Sequence, residues 1–225
     1  MLHNCVAIVP CRAGSKGLLD KNFLILGSEK LYKIALDQAL RCISEVIISS
    51  DKNLEKELEC YSVEQHLRSP ELSTDQSTMA ELMFELIRRY QLHESTIVLL
   101  QPTSPLRRDE DILKCIKTFK NNTFDLVFTV SAQDRAVLKS GFVRGNKFVP
   151  VAEPDFTFMN RQDLPELFRP NGAVYVFNGG WFEENNGFTS NNIGVVEMPK
   201  ENSLDIDNRE DFDRVAQIYK THSKN

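Results

Sequence analysis

Residues 6–17, with the sequence VAIVPCRAGSKG, join a short apolar run to a polar loop. The run Val6–Val9 ends at Pro10, which is typical of a buried strand. The mainly polar loop that follows, Cys11–Asn22, contains Gly14 and Gly17. Open α/β sheets bind their ligands outside the carboxyl ends of the strands. The stretch therefore predicts an α/β sheet with a ligand site at the end of its first strand.

Strands and helices are predicted to alternate as far as residue 130. Helical spacing of apolar residues indicates helices over 31–42 and 78–90, a shorter helix over 52–60, and a helix that begins with the acidic run Asp109–Asp111. Further strands are predicted at Glu45–Ser49, Thr96–Leu100 and Leu126–Val130. Mostly apolar strands belong in a parallel sheet that is covered on both faces. The fold class is therefore α/β, with a doubly wound, mainly parallel sheet, in a single domain over residues 1–225.

The alternation breaks after Ser131. A hairpin is predicted over Phe142–Val151, an irregular segment over 154–170, strands over 173–177 and 193–197, and a final helix over Arg209–Tyr219. Residues 135–170 thus form an insertion that is longer than ordinary loops. We expect it to have a role of its own.

Composition excludes several classes of protein. The chain has 225 residues and a formal net charge of −5, and 41% of its residues are hydrophobic. Disorder is not expected, no apolar stretch is long enough to span a membrane, and no secretory signal is recognised. The acidic balance argues against nucleic acid as a partner. The scattered cysteines, five in number, fit reduced thiols and a cytoplasmic location.

The loop after the first strand has the chemistry of a triphosphate site. Glycines let backbone N–H groups converge on an anion, and Arg12, Lys16 and Lys21 add positive charge. Ser15 adds a hydroxyl donor, and Asn22 adds an amide. The loop matches neither the Walker A pattern nor GxGxxG. A plain tight turn is the alternative reading.

Taken with motifs elsewhere in the chain, the loop resembles that of the CMP-sialic acid synthetases (acylneuraminate cytidylyltransferases). The motifs occur in the family's order and span nearly the whole chain. They are Arg12-Ala13-Gly14-Ser15-Lys16-Gly17, Lys21-Asn22, Ser49-Ser50-Asp51, Arg68 with Glu71-Leu72-Ser73-Thr74-Asp75, Gln101-Pro102-Thr103-Ser104-Pro105-Leu106-Arg107, Arg169-Pro170-Asn171-Gly172-Ala173-Val174-Tyr175 and Asp205-Ile206-Asp207.

The resemblance implies a Rossmann-like nucleotidyltransferase fold and a reaction. The anomeric hydroxyl of a nine-carbon 2-keto sugar acid, sialic or legionaminic acid, would attack the α-phosphate of CTP and release pyrophosphate. Such a transfer depends on positioning and charge neutralisation. The implied cofactor is Mg²⁺, with Mn²⁺ as a possible substitute. The implied partner is a second copy of the chain, in a homodimer formed through the insertion, which would also complete the substrate site.

The resemblance also implies roles for individual residues. Nucleotide contacts fall to Arg12, Ala13, Gly14, Ser15, Lys16, Lys21, Asn22 and Arg68, and catalytic roles to Arg12, Lys16, Lys21 and Asp207. Sugar contacts fall to Gln101, Lys139, Arg161, Arg169 and Tyr175. For five of these residues a purely structural interpretation stays open: a solvated lysine at Lys21, a surface arginine at Arg68, the charged rim of an interaction surface at Arg161 and Arg169, and a core tyrosine at Tyr175. Arg107 is either structural or part of the site.

Asp205 and Asp207 are the expected metal ligands. On an extended segment, residues i and i+2 face the same side, so both carboxylates can reach one cation. Magnesium takes few protein ligands and binds phosphate oxygens and water besides. The alternative is a helix cap, in which Asp207 pairs with Glu210 at the start of the last helix. The sequence does not identify the general base.

The chain also departs from the family pattern. Ala13 replaces a more usual glycine, and Cys11, in place of a small alanine, is either inert packing or a reactive thiol. Activation of pseudaminic acid or of an eight-carbon Kdo-type acid remains a close alternative. A non-catalytic nucleotide-binding protein is a more distant one, and it predicts loss of the loop cations or of the aspartate pair.

Overall fold

The computed structural model describes residues 4–14 and 17–222. Its strands and helices follow one another along the chain as β1 (Cys5–Cys11), β2 (Ile25–Leu26), β3 (Glu29–Lys30), α1 (Leu31–Cys42), β4 (Glu45–Ser50), α2 (Glu55–Leu58), β5 (Glu64–Leu67), α3 (Met79–Arg89), β6 (Thr96–Leu100), α4 (Asp109–Lys120), β7 (Leu126–Ala132), β8 (Gly141–Arg144), β9 (Lys147–Pro150), β10 (Phe168–Asn178), α5 (Gly179–Glu184), β11 (Ile193–Glu197) and α6 (Arg209–His222).

Within the described residues, seven strands form the main sheet in the order β11-β7-β10-β6-β1-β4-β5. The pairs β6–β1, β1–β4, β4–β5 and β7–β11 are parallel. The exception is β10, which runs antiparallel to both of its neighbours, β6 and β7. The prediction of a mainly parallel sheet is therefore confirmed.

Helices cover both faces of this sheet because successive strand residues point to opposite sides. Ala7 and Val9 of β1 pack with residues of α1 and α4, whereas Val6 and Ile8 pack with α3 and α5. Helix α6 packs through Val215 in a third cluster, beside the main core. This arrangement is the doubly wound architecture that the sequence predicted.

The alternation places the ends of four parallel strands at one edge. β1 ends before Arg12, β4 before Asp51, β5 before Arg68 and β6 before Gln101. Because the strands are parallel, these residues follow carboxyl ends on the same side of the sheet, where open α/β sheets bind ligands.

An irregularity in β10 brings a further segment to this edge. The pairing of β10 with β7 shifts between Pro170 and Tyr175, and Gly172 has a φ of 78°. Side chains bind the backbone where the pairing shifts: the N–H of Val174 donates to Oγ1 of Thr129 at 3.1 Å, and Thr129 in turn donates to Oδ1 of Asn171 at 2.6 Å. Only glycine adopts such a φ without cost, so the bulge depends on Gly172.

Residues 133–167 connect β7 to β10. The segment carries the ribbon β8–β9 and short 3₁₀ turns, and the tight turn of the ribbon contains Gly145 with a φ of 63°. The hairpin predicted over Phe142–Val151 is thus confirmed. Apolar side chains of this segment are exposed to solvent: Val143 at 76%, Phe142 at 61% and Phe158 at 90%.

In the described part of the chain, none of the helices has the length and apolar character that crossing a membrane requires.

Candidate active site

A cavity of about 250 Å³ opens at the carboxyl edge of β1, β5 and β6. It collects predicted residues from distant parts of the chain. Those that line it are Arg12, Lys21, Asn22, Arg68, Gln101, Asp205 and Asp207. Three cations and two carboxylates in this lining give the cavity the charges that a site for a polyanion and a divalent cation needs.

Arg12 joins the loop after β1 to the segment before α3. Its guanidinium donates to the carbonyl oxygen of Thr74 at 2.5 Å and forms an ion pair with Asp75 at 2.9 Å. The side chain is about three-quarters buried. Arg12 therefore lines the cavity in an orientation that its own protein partners fix.

Two loop amides that the sequence assigned to phosphate binding have protein partners in this structure. The N–H of Ala13 donates to Asp51 at 2.9 Å, and the N–H of Gly14 donates to Asp20 at 2.9 Å. The Gly14 bond and Lys52 hold the pKa of Asp20 below its usual range. An anion bound by these amides would have to displace two carboxylates. Ser15 and Lys16 lie outside the described residues.

Asn22 is buried and serves the backbone of the loop. Its Nδ2 donates to the carbonyl oxygen of Arg12 at 2.8 Å. Through this bond the amide holds the start of the loop against its end, so Asn22 shapes the cavity as well as lining it.

Arg68 lines the cavity from the end of β5 and is not a surface arginine. Its Nε donates to Oγ of Ser49 at 2.9 Å, and its Nη2 donates to the Ser49 carbonyl oxygen at 3.1 Å. Burial lowers the pKa of Arg68 to about 10, although nearby Asp51 acts in the opposite direction. The guanidinium is therefore charged at neutral pH and held in a partly dry environment.

Lys21 links the first loop to the segment before α6. Its Nζ lies 2.9 Å from Oδ1 of Asp207 and 3.0 Å from the carbonyl oxygen of Ile206. It is therefore not the solvated loop lysine of the alternative reading. Gly17 supports the same junction, since a Cβ there would lie 2.6 Å from the carbonyl oxygen of Asp207.

The last helix is capped by Asn208 and not by Asp207, which the sequence offered as the alternative to a metal ligand. The Asn208 side chain accepts from the N–H of Asp211 at 3.0 Å, and Asp211 accepts from the N–H groups of Asp207 and Asn208. Glu210 takes no part in this cap. The carboxylate of Asp207 is consequently not used for capping, and its side chain is 72% exposed.

The Asp205 carboxyl group has the features of a metal ligand. Among the described residues, its Oδ1 is buried without a hydrogen-bond partner. Burial raises the pKa of Asp205, a hydrogen bond from Thr103 lowers it, and the charge of Asp207 raises it again. An unpartnered carboxylate oxygen beside a second carboxylate is costly unless a cation binds there. The pair therefore fits a hard divalent cation that takes its other ligands from phosphate and water.

Gln101 faces the bulge of β10. A Cβ on Gly172 would lie 3.5 Å from Oε1 of Gln101 and 4.0 Å from Oδ2 of Asp205. The missing side chain of Gly172 thus leaves room beside both groups. Arg107 lies beneath them, fully buried, and donates to the carbonyl oxygens of Gln101 at 2.9 Å and Ala173 at 2.7 Å. Arg107 is structural: it ties β6 to β10 under the cavity.

The other predicted sugar contacts are not among the residues that line this cavity. Tyr175 is half-buried between Phe128 and Phe188, and burial and the charge of Asp205 raise its pKa. Arg161 forms an ion pair with Asp134 at 3.2 Å and is largely exposed. Arg169 is exposed on β10 opposite Ser131, and Lys139 ends a 3₁₀ turn of the connecting segment. Their predicted role in sugar binding stays a prediction.

Sequence reasoning missed several residues of the cavity. Thr103, Ser77 and Thr78 line it, and Gly172 borders it. Thr78 caps α3, with the side chain of Glu81 reaching back to its N–H. The spacing of Thr78 and Glu81 is a readable capping box. Gly172 stands in one of the quoted motifs, but its place beside the cavity had no local signal, because that place depends on the bulge in β10.

The structure also distinguishes between the two interpretations of Cys11, inert packing and a reactive thiol. Its side chain is fully buried, and desolvation raises the pKa of its thiol. A thiol that stays neutral is a poor nucleophile, so packing rather than reactivity accounts for Cys11.

Known proteins share both the fold and the sequence pattern. An N-acylneuraminate cytidylyltransferase from Streptococcus agalactiae serotype V is 30% identical over 92% of this chain and 51% of its own length. A CMP-N,N'-diacetyllegionaminic acid synthase from Legionella pneumophila is 29% identical over 82% of each chain. The chain thus spans about half the length of the curated N-acylneuraminate cytidylyltransferases that it matches.

A solved structure shows the same fold. It is a CMP:2-keto-3-deoxy-manno-octonic acid synthetase complexed with CTP, with a TM-score of 0.72, 15% identity, and coverage of 97% of this chain and 99% of that one. The family model for cytidylyltransferases matches residues 6–222. The described cavity, its sequence motifs and this match agree, and the chain belongs to the cytidylyltransferase family.

Proposed function

We propose that the chain transfers CMP from CTP to the anomeric hydroxyl of a nine-carbon 2-keto sugar acid, sialic or legionaminic acid. The observation that carries the proposal is the ion pair of Lys21 with Asp207 at the wall of a cavity that Arg12, Arg68 and Asp205 also line. Relatives whose names specify N-acylneuraminate and diacetyllegionaminic acid support the class of acceptor.

In the proposed reaction the sugar hydroxyl oxygen forms a bond to the α-phosphorus of CTP. The bond from that phosphorus to the oxygen that bridges to the β-phosphate breaks, pyrophosphate leaves with that oxygen, and the hydroxyl proton passes to solvent water. Negative charge grows on the leaving pyrophosphate, which is where fixed cations lower the barrier. We assign this role to Arg12 and Lys21, with Lys16 as a further predicted contributor.

Asp205 and Asp207 would hold Mg²⁺, or Mn²⁺ in its place. The bound ion would neutralise triphosphate charge and orient the phosphates. Lys21 would meanwhile keep the carboxylate of Asp207 turned toward the cavity, since it bonds Oδ1 and leaves Oδ2 for the ion. Asp205 offers its unpartnered Oδ1.

The two halves of the substrate would occupy different parts of the cavity. We place the nucleotide beside Arg68 and Asn22, and the sugar acid beside Gln101 and the space left by Gly172. A non-catalytic nucleotide-binding protein is disfavoured, because Arg12, Lys21 and the aspartates remain together in the described cavity.

A homodimer is part of the proposal. Phe142, Val143 and Phe158 are exposed apolar side chains of the segment between β7 and β10, and protein interfaces commonly bury such side chains. Lys139, Arg161 and Arg169 would then act near the sugar site of the same or the neighbouring subunit. The scattered cysteines fit a cytoplasmic enzyme.

The activity is tested by incubating the purified protein with CTP, Mg²⁺ and a panel of 2-keto sugar acids while measuring pyrophosphate. We expect release with sialic or legionaminic acid and none with CTP on its own. If pyrophosphate is released only with pseudaminic acid or an eight-carbon acid, the proposed substrate is wrong. If no acid leads to release, the proposed transferase activity is refuted.

The dimer is tested by sedimentation of the wild type and of Val143→Asp and Phe158→Asp. We expect a wild-type dimer that both charged variants dissociate. A monomeric wild type would refute the homodimer and leave the activity to be judged separately.

A further inference from the structure

Behind the cavity, a buried pair of side chains contacts Arg68. Ser49, in β4, accepts from Nε of Arg68 through Oγ at 2.9 Å and from its Nη2 through the backbone carbonyl at 3.1 Å. The same Oγ lies 2.9 Å from Nδ1 of His66 in β5. Ser49 has no exposed surface and His66 has 1%. His66 does not line the cavity, so any influence on ligand binding passes through Ser49 and Arg68.

The chemistry of the three groups indicates which of them donates in each hydrogen bond between Arg68, Ser49 and His66. A guanidinium donates and never accepts, so the Ser49 oxygen is the acceptor toward Arg68. Among the described residues, His66 Nδ1 is the one hydrogen-bond partner that can accept the Ser49 hydroxyl hydrogen, since the other partner is Arg68. We therefore take the hydroxyl as the donor and Nδ1 as unprotonated. The proton of the neutral imidazole is therefore on Nε2, on the side of Glu85, which lies 3.9 Å away.

The groups around His66 favour this neutral form. Burial lowers the pKa of His66, and the cations Arg89 and Arg68 lower it further, whereas Glu85 acts in the opposite direction. Tyr90 of the segment after α3 packs edge-on against the imidazole, and its hydroxyl contacts Glu64. A second proton on the imidazole would make Nδ1 a donor and leave the Ser49 hydroxyl hydrogen without its acceptor.

We propose that His66 is a positioning residue, which uses Nδ1 and the Ser49 hydroxyl to fix the Arg68 guanidinium against the nucleotide half of the cavity. The inference rests on the proposed function for the contact between Arg68 and CTP. The positioning role requires a hydrogen-bond acceptor at the place of Nδ1, and it does not require the rest of the imidazole ring.

The test is CTP affinity, measured by calorimetry without sugar acid, for the wild type, Ser49→Ala, His66→Phe and His66→Asn. Phenylalanine keeps the ring against Tyr90 but offers no acceptor. Asparagine offers an amide oxygen as many bonds from Cβ as Nδ1, but it loses the ring. We expect His66→Phe and Ser49→Ala to weaken CTP binding about tenfold, and His66→Asn to stay within about threefold of the wild type.

Thermal unfolding of the same variants separates positioning from packing. Because His66→Asn removes more buried surface than His66→Phe, we expect it to be the less stable of the two while binding CTP more tightly. A purely structural role would make affinity and stability fall together. Steady-state kinetics should show the loss in the KM for CTP, with kcat changed less than about twofold.

His93→Phe and Ser95→Ala are the matched controls. His93 forms an exposed ion pair with Glu183, and Ser95 is a buried serine just before β6, at the opposite end from Gln101. Both should bind CTP as the wild type does. A wild type that binds CTP with His66→Phe and Ser49→Ala equally tight overturns the inference and leaves the proposed function standing. A wild type that does not bind CTP overturns both.

Discussion

The Nζ of Lys21 lies 2.9 Å from Oδ1 of Asp207, a residue 186 positions further along the chain. The same Nζ donates to the carbonyl oxygen of Ile206 at 3.0 Å. The amine thus joins the loop after β1 to the segment that carries the proposed metal ligands. This contact brings a cation for phosphate and a carboxylate for metal to one wall of the cavity.

Replacing Lys21 by glutamine should impair turnover far more than stability. The Asp207 side chain is 72% exposed, so loss of the ion pair should change the free energy of unfolding by about 1 kcal/mol or less. Loss of a cation that stabilises leaving pyrophosphate should slow its release about 100-fold. Lys30→Gln, which removes an ion pair with Glu57 outside the cavity, is the control and should retain activity. A folded Lys21→Gln protein with more than half the wild-type rate would contradict this role.

Asp205→Asn should stabilise the metal-free protein while abolishing activity. A raised carboxyl pKa means that the folded state binds the proton more readily than the unfolded state. Ionisation of the Asp205 carboxyl group therefore lowers stability as the pH rises above the unfolded-state pKa of about 4. At pH 7 without metal we expect a gain of up to about 1 kcal/mol in denaturant unfolding, and the gain should vanish below about pH 4.

Magnesium provides the complementary measurement for Asp205. Because the ion should bind the folded wild type, it should raise the wild-type unfolding temperature and leave that of Asp205→Asn unchanged. An Asp205→Asn variant that is less stable than the wild type at pH 7 would show that the ionised carboxylate does not destabilise the metal-free protein. A variant that Mg²⁺ stabilises as much as the wild type would show that Asp205 does not bind the ion.

Gly172→Val should affect the sugar acid more than the nucleotide. A side chain at this position would point toward Gln101 and Asp205, and the φ of 78° adds backbone strain of about 1–2 kcal/mol. We expect the KM for the sugar acid to rise at least about tenfold, with the Kd for CTP changed less than about threefold. Gly187→Val, outside the cavity and outside the segment between β7 and β10, is a control for backbone strain, since Gly187 has a φ of 122° and its Cβ position lies at an ordinary contact distance of 3.8 Å from Cβ of Ala80. Equal effects on both substrates would mean that the sugar does not bind beside Gly172.

His66 should make the stability of the protein depend on pH. Its pKa is lowered in the folded state, so the unfolded chain binds the proton more readily and stability falls as the pH decreases below about 6.5. We expect His66→Asn to flatten this part of the profile between pH 7.5 and 5, as measured by denaturant unfolding, and His93→Asn to leave it in place. A slope that survives in His66→Asn would assign the titration to another group.

Much of the fold could be predicted because its periodic patterns are strong. Leu31–Cys42 and Thr96–Leu100 have the predicted bounds, since each buries one continuous apolar face or run. Strand β5 was missed because its sequence, Glu64-Gln65-His66-Leu67, is mostly polar and lies at the edge of the sheet. The predicted helix over 52–60 is only one turn long, from Glu55 to Leu58.

The site could be predicted at the level of which residues meet, because parallel strands bring their carboxyl ends to one edge. The partners of those residues could not be predicted. The carboxylates that bind the Ala13 and Gly14 amides, and the bulge that brings Gly172 to Gln101, depend on long-range packing. The antiparallel direction of β10 likewise has no local signal in its sequence.

Mass spectrometry of the reaction product decides whether the protein transfers CMP to a sugar acid. The wild type and Asp207→Asn would each be incubated with CTP, Mg²⁺ and either sialic or legionaminic acid. We expect the wild type to form a CMP-sugar and pyrophosphate in equal amounts with at least one acid, and folded Asp207→Asn to form neither. Absence of any CMP-sugar from the wild type, or undiminished formation by Asp207→Asn, would contradict it.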